Sequence, residues 1–80
     1  MIDTARLVAS SLDQLGNALF RLQLQQSGYI TAEDFERLTG EELDEFSTEG
    51  RRVMAALAVQ HGCTIRTTPI ERRIYFTRVQ

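Results

Sequence analysis

No covalent or metal staple can hold this chain together. Its eighty residues include one cysteine, Cys63, and one histidine, His61. No intramolecular disulfide can form, and a zinc site would lack its three or four ligands. A domain this small buries only about 60% of the surface that its unfolded chain exposes. The fold must therefore rest on apolar packing, within the chain or against a second copy. Enough apolar material is present: 42% of the residues are hydrophobic, an ordinary globular share and too high for a disordered chain. Residues 1–80 read as a single domain with no cofactor.

Charge is distributed unevenly. Residues 1–50 carry ten acids against three arginines, a net −7, and residues 51–80 carry six arginines against one acid, Glu71, a net +5. Such a split implies an oriented surface for an anionic partner, or two halves that attract each other. All nine basic residues are arginine. A coding bias accounts for this, as does selection for bidentate contacts to phosphate or carboxylate. Met1 to Ala9 shows no basic run ahead of an apolar run, so no signal peptide is expected. Apolar runs are too short for a membrane span. With a free cysteine, these features point to a cytoplasmic protein without a membrane partner.

The clearest periodicity lies at the start. Met1, Ala5, Val8, Leu12, Leu15, Leu19 and Leu22 follow one another at spacings of 4, 3, 4, 3, 4 and 3, one stripe on a helix of roughly 3.6 residues per turn. The stripe predicts a long first helix over residues 3–26, capped by Asp3 or Thr4, continuous or bent at Gly16 and stopped at Ser27-Gly28. Such a helix spans about 36 Å and overhangs a domain whose radius of gyration should be near 12 Å. Val8, Leu12, Leu15, Leu19 and Leu22 are therefore candidate homodimer residues.

Beyond it, Tyr29-Ile30 reads as a short extended link. Thr31 and Asp34 form a capping box for a second helix from Ala32 to Leu38, ended by Thr39-Gly40. Ser47 is the expected N-cap of a third helix from about Thr48 to His61, with Val53, Ala56, Leu57 and Gln60 on its apolar face and Met54 and Ala58 flanking it. Gly62 closes that helix. Two β-rich segments follow, Cys63 to Thr68 and Arg73 to Val79, with a turn at Pro69-Ile70. The expected fold class is mainly α with a C-terminal β-hairpin: three helices and a two-stranded wing.

Three stretches carry a resemblance: G-Y-I-T-A-E-D-F-E-R-L from Gly28, S-T-E-G-R-R-V-M-A-A-L-A-V-Q-H-G from Ser47, and C-T-I-R-T-T-P-I-E-R-R-I-Y-F-T-R-V from Cys63. Over residues 28–79 the chain resembles the winged helix-turn-helix superfamily. The resemblance implies a small DNA-binding regulator whose third helix enters the major groove. Ser47, Thr48, Arg51, Arg52 and Ala55 would then face double-stranded DNA, with Arg66, Arg72 and Arg73 of the wing on its backbone or minor groove.

A different partner class remains open. Glu41, Glu42, Asp44, Glu45 and Glu49 crowd the entry to the third helix, and carboxylates repel phosphate. These acids and the arginines could instead engage a protein, as in a phage-type inhibitor of a host complex. Around Gly28 the sequence imitates half of a calcium loop, but Gln23, Gln25 and Ser27 stand where carboxylates are required. His61 and Cys63 lack a third orienting group, so the chain is not read as an enzyme.

Overall fold

The computed structural model describes residues 4–44, 48–68 and 70–80. Among the described residues, seven elements follow in order: β1 Ala5–Arg6, α1 Leu12–Phe20, β2 Ser27–Thr31, α2 Ala32–Thr39, α3 Thr48–Gln60, β3 Cys63–Thr68 and β4 Arg73–Arg78. The strands form one mixed sheet in the order β1-β2-β4-β3. β1 runs parallel to β2, and the other two pairings are antiparallel. The expected class, mainly α with a C-terminal hairpin, is therefore corrected to an α/β fold. β3 and β4 do form a hairpin, but β4 lies at the centre of the sheet, paired on its other side with β2. Met1, Asp3, Ser47 and Pro69, for which a stripe position, two caps and a turn are expected, lie outside the described residues.

The first helix is nine residues long, not twenty-four. Its start is a local competition won by serine. Ser11 is extended (φ −151°, ψ 166°) and its hydroxyl accepts from the Gln14 amide, while Gln14 Oε1 accepts from the Ser10 amide at 2.8 Å. These side chains satisfy amides that a continuing helix would have used. Ahead of Ser11 the chain alternates in and out: Leu7 and Ala9 are buried, whereas Val8 is 83% exposed. That is strand-like period two, and the helical phase of Ala5 and Val8 is coincidental. The other end is closed from across the molecule. The Arg78 guanidinium donates to the Phe20 and Leu22 carbonyls, both at 2.7 Å, taking up acceptors that a helix C-terminus leaves free.

A nine-residue helix spans about 14 Å, well within the longest molecular dimension of 31 Å. Leu15, Leu19 and Leu22 are buried in the chain's own core, and Leu12 packs against it. The overhang on which the dimer expectation rested does not exist. Among the described residues, no helix is long and apolar enough to cross a membrane.

β2 arises where the sequence suggests only a link. Gly28 makes it possible: a Cβ there would lie 2.6 Å from Leu7 Cδ2, so glycine lets β1 and its flanking Leu7 close over the strand. The capping box of α2 forms as expected, with the Thr31 amide donating to Asp34 Oδ2 at 3.1 Å and the Asp34 amide to Thr31 Oγ1 at 3.2 Å. Gly40 ends the helix at φ 79°. On α3 the inward face is Gly50, Met54 and Ala58, rotated from the expected one; Val53, Ala56 and Gln60 are on the solvent side and Leu57 is half-buried. The rotation follows from Gly50, which sits against the Phe35 ring so closely that a Cβ would lie 2.5 Å from Cζ. Among the described residues, Leu15, Leu19, Phe35, Met54 and Ala58 of the helices share one core with Ile30, Ile74 and Phe76.

Asp34 is buried, with Arg6 and Arg37 nitrogens at 3.2 and 3.1 Å. Burial alone raises its carboxyl pKa, but hydrogen bonds from Thr31 and the Arg6 guanidinium outweigh that and hold it below the ordinary 3.8. A depressed carboxyl contributes stability that is present above the ordinary value and lost as pH falls through the native one. Urea midpoints at about pH 6 and about pH 3 should therefore fall further apart in the wild type than in Asp34→Asn. Equal pH dependence in the two proteins contradicts this account.

Candidate site on the open face of the sheet

Strand alternation sends Ile30, Ile74, Phe76 and Cys63 toward the helices, and the residues between them to the opposite face. Register then aligns those outward residues in three rows across β2, β4 and β3. The first row is Ser27, Thr77 and Thr64; the second Tyr29, Tyr75 and Arg66; the third Thr31, Arg73 and Thr68. The first two rows, with Arg73 and Thr4, line a trough of about 590 Å³.

Two tyrosines form its floor. The Tyr29 and Tyr75 ring centroids are 5.8 Å apart, tilted by 49°, a favourable offset for aromatic pairs. A guanidinium lies over each ring: Arg73 at 4.2 Å from the Tyr29 centroid and Arg66 at 5.3 Å from that of Tyr75. Arg73 also donates to the Tyr75 hydroxyl at 3.3 Å, and that hydroxyl donates to Glu71 at 2.6 Å. The Tyr75 bond pushes the Arg73 pKa up, burial works against it, and Tyr29, Tyr75 and Glu71 add to the rise. Arg73 thus stays charged at any working pH. Planar cations on aromatic rings leave their N–H edges free to meet an anion.

The uneven charge of the sequence does not map onto two layers, because the helix layer holds acids together with Arg37, Arg51 and Arg52. Glu33 and Glu36 lie on α2, Glu41, Glu42 and Asp44 in the segment after it, and Glu49 in the first turn of α3. The open sheet face carries Arg66 and Arg73.

The residues expected to meet DNA divide between the helix layer and the sheet. Thr48, Arg51, Arg52 and Ala55 belong to α3, on the far side of the sheet from Arg66 and Arg73. Arg51 donates to the Asp44 carbonyl at 2.6 Å, Arg52 is exposed and Ala55 is half-buried. Arg72 occupies the β3–β4 turn at φ 55°, where its carbonyl accepts from the Ala32 amide at 2.8 Å. The structure brings Arg66 and Arg73 together and leaves the α3 arginines apart from them. Sequence reading missed Tyr29, Tyr75, Ser27, Thr64 and Thr77. Their signal was the alternation in S-G-Y-I-T and R-I-Y-F-T-R, in which tyrosine falls on the polar phase.

Elsewhere, Cys63 Sγ lies 3.7 Å from the His61 carbonyl. Burial pushes the Cys63 thiol pKa up, with Arg78 opposing. Among the described residues, no three His, Cys, Asp or Glu side chains gather as metal ligands. No family model, curated protein or solved structure matches this chain.

Proposed function

We propose that the protein binds single-stranded nucleic acid on the open face of its sheet. The observation that carries this reading is the Tyr29–Tyr75 pair, in direct cross-strand register at the floor of a trough and flanked by Arg66 and Arg73. Unpaired bases stack on guanidinium planes as well as on aromatic rings; a guanidinium lies over each tyrosine here, so a base either layers on it or takes its place while the arginine turns to the adjoining phosphate. A duplex keeps its bases inside and cannot use a tyrosine floor in this way. The trough lies within the usual size of small-ligand sites, roughly 300–1,000 Å³, enough for one or two nucleotides at a time.

Affinity should depend on salt through the two arginines. Neutralising two phosphates of a single strand corresponds to a log–log slope of about −1.4. Arg66→Gln or Arg73→Gln should flatten it to about −0.7. The test is anisotropy of a labelled short oligo(U) against a mixed duplex, starting at about 50 mM salt. Tighter binding of the single strand, with these slopes, supports the reading. Absence of single-strand binding at that salt removes it.

A second reading keeps duplex DNA as the ligand, with Arg52 and the exposed side of α3 in the groove. The exposure of Arg52, Val53 and Ala56 on α3 favours it, because a solvent-facing side of a helix is what a groove would receive. Against it stand Arg51, already engaged with Asp44, and Glu49 in the first turn of α3. Tighter binding of the duplex than of oligo(U) selects this second reading.

A further inference from the structure

We infer that the bound strand is RNA rather than DNA, read through its 2′-hydroxyls by the row Ser27, Thr77 and Thr64; this rests on the single-strand reading above. The three side chains stand abreast on β2, β4 and β3, one row along from the tyrosines. Rows on one sheet face are about 6.7 Å apart, two residues of strand rise. A base stacked on the tyrosine row therefore sets its sugar over a neighbouring row.

Two rows neighbour the tyrosines, and their place relative to the trough separates them. On one side, the Thr31 hydroxyl accepts from the Asp34 amide in the α2 cap, and the Thr68 hydroxyl donates to the Arg73 carbonyl at 3.2 Å. Arg73 itself lies on the Tyr29 ring. Neither Thr31 nor Thr68 lines the trough. On the other side, Ser27 Oγ and Thr77 Oγ1 are 2.7 Å apart and share one hydrogen bond. Each hydroxyl has one proton and two lone pairs, so the pair retains one proton and three acceptor sites. Thr64 makes only a long 3.5 Å contact to the Thr77 carbonyl, and Thr4 lines the same trough. The row thus offers donors and acceptors side by side.

A ribose 2′-hydroxyl both donates and accepts, and it is the group by which a protein tells RNA from DNA. Deoxyribose brings only C–H to the same place and leaves the row's hydroxyls to water. One such hydrogen bond corresponds to a preference of roughly threefold to tenfold.

The experiment compares oligo(rU) with oligo(dU) of equal length, which differ only in the 2′ substituent, against the wild type, Thr77→Val and Ser27→Ala. Thr77→Val keeps the β-branched shape, and Ser27→Ala gives an independent readout if the first variant fails to fold by circular dichroism. The expected result is a wild-type preference for oligo(rU) of roughly threefold to tenfold that falls toward one in the variants. A wild-type ratio of one overturns the inference and leaves the single-strand reading standing. A ratio that persists in every folded variant overturns the assignment to this row. Binding of neither oligonucleotide removes both readings.

Discussion

Tyr75→Ala should weaken binding of a single-stranded oligonucleotide by roughly 5- to 150-fold, the range that corresponds to losing one base–aromatic stack of about 1–3 kcal/mol. Tyr75 sits mid-sheet between Tyr29 and Arg66 and supports the Arg66 guanidinium with its ring. Its removal takes away a stacking surface and frees Arg66 to move. Tyr75→Phe should keep most of the affinity, because it retains the ring and loses only the hydroxyl bonds to Arg73 and Glu71. Tyr29→Ala should have a similar effect, and the double variant should lose less than the sum, since the rings are in contact. Unchanged affinity in both single alanine variants counts against a stacking floor.

Phe76→Ala, one residue along the same strand, should act on stability instead. Phe76 is fully buried among the helices, whereas Tyr75 is half-buried on the opposite face. Truncating a buried phenylalanine costs about 3–5 kcal/mol. An eighty-residue domain has roughly 4–12 kcal/mol in total, so the variant should be largely unfolded at 37 °C or have a much lower urea midpoint. The pair of substitutions tests register directly, because a one-residue slip exchanges the two faces. A loss below about 1 kcal/mol at Phe76, with a large loss at Tyr75, contradicts the sheet described above.

Local chemistry was legible in the sequence wherever a side chain and its backbone partner are close in the chain. The Thr31–Asp34 capping box and the Gly40 stop read directly from spacing, and the β-branched and aromatic residues after Gly62 mark the hairpin strands. The start of α1 was also legible. Ser11 and Gln14 carry the spacing of a capping box, but the apolar stripe ran in phase across them and hid the break. What the sequence could not reveal depends on distant partners. β1 exists because Leu7 folds over Gly28, and α1 stops where Arg78 reaches it from the far end of the chain. The site followed the same rule. Tyr29 and Tyr75 are forty-six positions apart in sequence, and only the β2–β4 register makes them one surface. The arginines drew notice by their charge, but which of them act together is a property of sheet alternation, which parts Arg66 and Arg73 from Arg51 and Arg52.

The most direct test of the central claim is a two-dimensional amide NMR titration of the labelled protein with oligo(U) at low salt. Shifts concentrated in Ser27–Thr31, Cys63–Thr68 and Arg73–Arg78, with the largest changes around Tyr29, Tyr75 and Arg66, are the predicted result. Shifts concentrated along Thr48–Gln60, or a spectrum that does not move at all, would contradict it.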